Sequence, residues 1–118
     1  MGTVMVVDDD EDIRGEMTAA LSDEGYAVCE AVDGVQALEK LAELESRPCV
    51  ILLDMMMPRM DGNEFLAAVA KAPRFAAMPI VVVSAFPGAV HGGARRVIRK
   101  PFDLTDLLAV VAEFCSKH

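Results

Sequence analysis

Long hydrophobic runs are missing from this chain. Its hydrophobic fraction is 53%, yet no apolar stretch approaches the ~20 residues that a membrane-spanning helix needs. The N-terminus also lacks a basic segment followed by an extended apolar one, which argues against a signal peptide. We therefore expect a protein without membrane insertion and with a cytoplasmic location.

Positive charge and histidine are both scarce. The chain has 11 Lys and Arg against 19 Asp and Glu, a net charge of −8. A surface of this sign repels phosphates, which argues against direct nucleic-acid binding or attachment to an anionic membrane. The two histidines, His91 and His118, have no plausible partners for a Ser-His-Asp or Cys-His nucleophile set.

Cysteine is also infrequent. Cys29, Cys49 and Cys115 lack the spacing of a metal site, and we expect all three to be reduced thiols in an intracellular protein. The length of 118 residues fits one domain spanning residues 1–118, with little left for a second.

What the chain does contain is a set of four short apolar runs, each followed by a polar residue. The runs are 3–7 before Asp8-Asp9, 50–53 before Asp54, 80–83 before Ser84, and 97–99 before Lys100. Such short, β-branched runs are typical of strands buried on both faces of a parallel sheet. Ligands of such sheets bind beyond the carboxyl ends of the strands, so these polar groups are expected to form one site.

Helical patterns separate the strands. A first helix is predicted to stop at Gly25, a second strand to span 26–32, and a later helix to be capped by Asn63. Strands alternating with helices predict an α/β fold of βαβ crossovers with helices on both sheet faces. The stretch between Ser84 and Val97 contains Pro87, Gly88, Gly92 and Gly93, so a fourth helix there should be short or irregular.

The three carboxylates predict a cation. Two carboxylates ~5 Å apart repel by roughly 3 kcal/mol at an effective dielectric of ~20, so Asp8, Asp9 and Asp54 need a positive charge between them. Hard oxygen ligands suit Mg²⁺ or Mn²⁺ better than zinc. Lys100 would add a second positive charge and Ser84 a hydroxyl donor, an arrangement suited to phosphoryl transfer onto a carboxylate. Taken singly, each residue is more simply a solvated surface group; their joint placement at four strand ends favours a site.

These motifs resemble the receiver domains of two-component response regulators. The resemblance covers essentially the whole chain and rests on the acidic pair Asp8-Asp9, the segment 54–62, Ser84-Ala85 and 100–102 (Lys-Pro-Phe). It implies a flavodoxin-like (βα)5 fold with a five-stranded parallel sheet of order 2-1-3-4-5. It also implies a Lys-Pro bond that is usually cis.

The resemblance assigns roles to individual residues. Asp54 would accept a phosphoryl group from a sensor histidine kinase or a histidine phosphotransfer protein. Asp9, Asp54 and the Met56 carbonyl would bind Mg²⁺ directly, with Asp8 helping through water. Ser84 would be the switch hydroxyl that contacts the phosphoryl group, and its small neighbour Ala85 would leave the site open. The chain would catalyse only its own phosphorylation and dephosphorylation. Signalling would follow by docking to a downstream protein target, and we expect either a stand-alone receiver or a part of a longer chain.

The output side departs from the family pattern. Ser84 and Lys100 are only 16 positions apart, shorter than usual, and the missing residues fall in the fourth helix. Val97 occupies the switch position that is commonly aromatic, so ring rotation cannot report phosphorylation there. Arg95, Arg96 and Arg99 add positive charge nearby, as a solubility feature or as a partner-docking patch.

Two other functions remain open. A docking domain could keep the receiver fold without depending on phosphate. A haloacid-dehalogenase-like phosphatase would use Asp8 as nucleophile and Asp10 as acid/base, although position 12 is Asp where Thr or Val is usual.

Overall fold

The structure is a computed structural model that describes residues 2–55, 59–85 and 93–115. A five-stranded parallel sheet has the strand order β2-β1-β3-β4-β5, as predicted. The strands are β1 (Thr3–Val7), β2 (Ala27–Ala31), β3 (Val50–Asp54), β4 (Ile80–Ser84) and β5 (Arg96–Arg99). Within the described residues there are four helices: α1 (Glu11–Asp23), α2 (Gly34–Glu43), α3 (Gly62–Lys71) and α4 (Leu104–Phe114).

The central strands are buried on both faces. Every residue of β3 and β4 is buried, and so are the last four residues of β1. Alternate side chains supply two cores: Met5, Ile51 and Leu53 pack with Phe65 of α3 on one face. On the other face, a second cluster joins β1, β3 and β4 to α1 and α4 (Val4, Val6, Leu52, Val81, Met17, Leu21, Leu107 and Val111). This double burial explains why the strand sequences are continuous apolar runs and do not alternate.

Aspartates begin the first three helices. Asp10 accepts hydrogen bonds from two N–H groups of α1, and Asp33 accepts one from the Gln36 N–H of α2. Asp61 caps α3 and forms a reciprocal capping box with Glu64. The prediction that Asn63 is the cap is therefore wrong. The carboxylate two residues earlier already accepts the Glu64 N–H, so the helix begins at Gly62.

The sheet edge at β5 is more exposed than the centre. Three of its four residues are exposed, including Val97 with 43% of its surface accessible. The predicted short or irregular fourth helix falls largely on residues 86–92, outside the described ranges. In the parts of the chain that the structure describes, no helix combines the length and hydropathy that spanning a membrane requires.

A disulfide joins Cys49, just before β3, to Cys115, just after α4. Their Cα atoms lie 5.2 Å apart, and the bond closes a sequence separation of 66 residues. The prediction of three reduced thiols is wrong for this pair, because the fold brings together two cysteines that no local spacing connects. Cys29 remains a free thiol.

Candidate functional site

Three polar side chains are buried where the central strands end. Asp8 follows β1, Asp54 ends β3 and Ser84 ends β4, with accessible fractions of 0%, 6% and 1%. The parallel register brings them to one edge of the sheet: Asp54 lies opposite Val83, the residue before Ser84. Carboxylates are rarely buried this fully unless charges or hydrogen bonds compensate them. The predicted convergence of distant residues is thus confirmed for these three.

Lys100 supplies the compensating charge. Its ammonium donates to Asp8 Oδ2 at 3.0 Å and to Asp54 Oδ1 at 3.3 Å, so one cation links two carboxylates. The Lys100 backbone N–H donates to the Ser84 carbonyl at 2.8 Å, and the following Lys100-Pro101 bond is cis, as the family resemblance implied. Burial of the ammonium disfavours its charged form, but the hydrogen bond and charge of Asp8 together with Asp54 outweigh burial and raise the pKa of Lys100.

The acids also have the geometry of a cation site. Asp8, Asp9 and Asp54 each offer a carboxylate oxygen, and these three oxygens lie within 4.8 Å of one another. Asp9 is exposed, so the cluster is open to solvent on its side. An all-oxygen donor set with room for water fits Mg²⁺ or another hard divalent cation. The fourth predicted ligand, the Met56 carbonyl, lies outside the described residues.

Asp8 is fixed in place by its neighbours. Its N–H donates to the Ala31 carbonyl of β2 at 3.1 Å, and its Oδ1 accepts from the Asp10 N–H at 2.9 Å. Its carbonyl accepts from Arg14 Nη1 at 2.9 Å, while Arg14 Nε pairs with Glu30 at 3.0 Å. Sequence reasoning missed Arg14, because its partner Glu30 lies on β2 and an arginine in a helix is ordinarily a solvated residue.

The remaining predicted residues lie around this centre. Ala85 is exposed beside Ser84 and helps to line a cavity of about 290 Å³ next to Lys100 (with Ile13, Glu16, Pro101 and Phe102). Val97 pairs with Val82, two residues before Ser84, so on β5 it lies away from the strand ends that carry the site. His91 is outside the described residues.

Comparisons with known proteins agree with this geometry. A family model described as the response regulator receiver domain matches residues 4–112. Protein PilG of Pseudomonas aeruginosa is 32% identical over 114 residues, covering 92% of this chain and 83% of PilG. The response regulator MprA of Mycobacterium sp. (strain KMS) is 39% identical over 112 residues, covering 90% of this chain. This chain spans 47% of the length of that relative, just under half.

Solved structures show the same architecture. The chemotaxis response regulator CheY4 of Vibrio cholerae superimposes with a TM-score of 0.85 at 33% identity, covering 98% of this chain and 99% of that one. A CheY-like receiver domain protein from Methanospirillum hungatei JF-1 gives a TM-score of 0.83 at 34% identity, with 96% and 93% coverage.

Proposed function

Because this chain belongs to the response regulator receiver domain family of two-component signalling, we propose that Asp54 is its phosphoryl acceptor. The observation that carries the proposal is the bridge from the Lys100 ammonium to Asp8 and Asp54. The bridge connects the nearly buried Asp54 carboxylate to the Lys100 ammonium and, through it, to Asp8. The site lies at a sheet edge that is open enough to admit a phosphoryl donor.

The donor would be a phosphohistidine of a sensor kinase or a phosphotransfer protein. An Asp54 carboxylate oxygen attacks the phosphorus, an O–P bond forms, and the P–N bond to the imidazole breaks. The electron pair leaves with the imidazole nitrogen, which takes a proton from water, and Asp54 becomes an acyl phosphate. The cavity beside Lys100, lined in part by Ile13 and Phe102, offers space for the incoming ring.

Each neighbouring group has a part in this transfer. Asp8, Asp9 and Asp54, with the Met56 carbonyl, would hold Mg²⁺ or Mn²⁺, which when bound neutralises charge on the phosphoryl oxygens. Lys100 stays within reach of those oxygens and pairs with one as they approach Asp54. Ser84 would donate its hydroxyl to another, and the small Ala85 side chain leaves room beside it.

Phosphorylation of Asp54 is tested with a small phosphodonor. With Mg²⁺ and acetyl phosphate, intact-mass analysis should show one added phosphoryl group, which disappears in Asp54→Asn. Asp10→Asn is the matched control, because Asp10 lies near the site but uses its carboxylate to cap α1. Full labelling of Asp54→Asn would contradict the proposal.

The same labelling experiment tests the phosphatase alternative. That function predicts label on Asp8, whereas the receiver predicts label on Asp54. The capping hydrogen bonds from Asp12 and Ile13 to Asp10 disfavour Asp10 as an acid/base.

Signalling would proceed by docking to a downstream protein. The exposed Val97 and the shortened segment before β5 keep the phosphate-independent docking domain as a second candidate. The affinity of a partner with and without beryllofluoride and Mg²⁺ separates the two, since equal affinities favour the docking domain.

A further inference from the structure

A buried carboxylate lies between α2 and the segment that follows Asp54. Asp33 has 2% of its surface accessible and accepts the Gln36 N–H at 2.8 Å, which caps α2. It also accepts two hydrogen bonds from Arg59: Nε to Oδ2 at 2.7 Å and Nη2 to Oδ1 at 3.1 Å. This two-bond pairing fixes the direction as well as the distance of the guanidinium.

The backbone of Arg59 is in the left-handed region, with φ of 61°. Among the described residues it alone has a positive φ without being glycine. A residue with a Cβ stays in this region only where its surroundings hold it there, and such residues cluster at functional sites. Here the two-bond pairing with Asp33 restrains the Arg59 side chain.

Neighbouring contacts attach the same segment at two further points. The Gly34 N–H donates to the Met60 carbonyl at 3.4 Å, and a Cβ at Gly34 would lie only 2.7 Å from Met60 Cγ. The Gly62 N–H donates to the carbonyl of Met55, the residue after Asp54, at 3.1 Å. Residues 59–62 are therefore bound on one side to the start of α2 and on the other to the end of β3.

We propose that Arg59 and Asp33 are positioning residues for the acceptor site. Their pairing sets the path of residues 59–62 and, through Gly62 and Met55, the orientation of the strand end that carries Asp54. This role rests on the proposed function. It predicts that loss of the pair weakens Mg²⁺ binding and slows phosphorylation while the domain stays folded.

The folded state should survive because each partner has other support. The Arg59 side chain is 58% exposed, so its removal opens no core cavity. Without Arg59, the Asp33 carboxylate keeps its hydrogen bond from the Gln36 backbone N–H. Arg59→Gly also relieves the left-handed backbone, which offsets part of the lost ion pair.

The test combines Mg²⁺ titration calorimetry with the rate of labelling by acetyl phosphate. Arg59→Gly should weaken Mg²⁺ binding roughly tenfold, the lower end of the usual cost of losing a group that orients metal ligands. Arg59→Lys should restore part of the affinity, because it keeps the charge but not the paired geometry. Asp33→Asn, which keeps a capping side chain, should resemble Arg59→Gly.

Arg96→Ala is the matched control. Arg96 is also an exposed arginine, 52% accessible, and pairs with Glu113 at 2.7 Å on the far edge of the sheet. A wild-type Mg²⁺ affinity and labelling rate in Arg59→Gly, or an equal loss of both in Arg96→Ala, would overturn the positioning role and leave the proposed function intact. A wild-type chain that takes no label on Asp54 would overturn the proposed function and this inference with it.

Discussion

Reduction of the Cys49–Cys115 disulfide is expected to lower the free energy of unfolding by about 4 kcal/mol. The bond closes a loop with a sequence separation of 66 residues, and cross-linking a loop of this size removes that much conformational entropy from the unfolded chain. A chain of 118 residues has an unfolding entropy of about 0.25 kcal/mol/K, so the melting temperature should fall by roughly 16 °C. Domains of this size are stable by only about 5–15 kcal/mol, so the reduced form should be markedly weakened.

The assay compares thermal unfolding of the wild-type protein with and without a phosphine reductant, which avoids the packing cost of replacing the buried Cys115. Cys49→Ser should melt at the same temperature with and without reductant. Cys29→Ser, which removes the free thiol, should keep the full difference in melting temperature between the oxidised and reduced protein.

Thiol counting provides the decisive check. The unfolded, unreduced wild-type chain should titrate one thiol, and the reduced chain three. Three thiols without reductant would show that the bond does not form. A fall in the melting temperature of less than about 4 °C after complete reduction would refute the loop-entropy estimate, even if the bond does form.

Two further predictions concern glycine substitutions and stability at acid pH. Gly15→Ala in α1, where nothing lies within 4 Å of a new Cβ, should raise the free energy of unfolding by about 0.5–1 kcal/mol in urea titrations. Gly62→Ala should lower it by about 1–3 kcal/mol, since its Cβ would lie 2.8 Å from the Met55 Cα; equal effects of the two variants would contradict this steric account. The hydrogen bond from Arg59 lowers the pKa of Asp33 despite burial, so the pair stabilises the fold above about pH 4 and this contribution is lost as pH falls through the folded-state pKa. Urea midpoints from pH 6 to pH 2 should therefore fall more steeply for wild type than for Asp33→Asn, and parallel curves would exclude the linkage.

The strands and the acidic site could be predicted because their signals are local. A run such as 80–83 is buried on both faces and therefore continuously apolar, and the residue that ends it is a polar group at the sheet edge. Because the strands are parallel, the sequence predicts that Asp8, Asp54 and Lys100 lie close together, although it does not give the distances between them. The N-cap of α3 lies at Asp61, two residues before the predicted Asn63, because both are good caps and only hydrogen bonding separates them.

Pairings between distant residues could not be predicted in this way. Cys49 and Cys115 meet only because β3 and α4 share one core cluster, and Arg59 meets Asp33 across the β3–α3 and β2–α2 connections. An exposed arginine in a loop gives no sign that it will pair with a buried carboxylate. Arg14 is a similar case, since its contact with the Asp8 carbonyl depends on the angle at which α1 leaves the sheet.

The strands that carry the candidate site differ in burial from the edge strand β5. Asp54 and Ser84 end strands that are buried throughout, so their positions are fixed by the core, whereas β5 is mostly exposed. Lys100, the residue after β5, contacts both regions: its ammonium donates to Asp54, and its backbone N–H donates to the carbonyl of Ser84 at the end of β4. A phosphoryl group on Asp54 would draw the ammonium toward its oxygens, and this shift would act on the β5 edge through the same residue. Because Val97 has no ring to rotate, we expect any response of this edge to phosphorylation to be a displacement of the main chain.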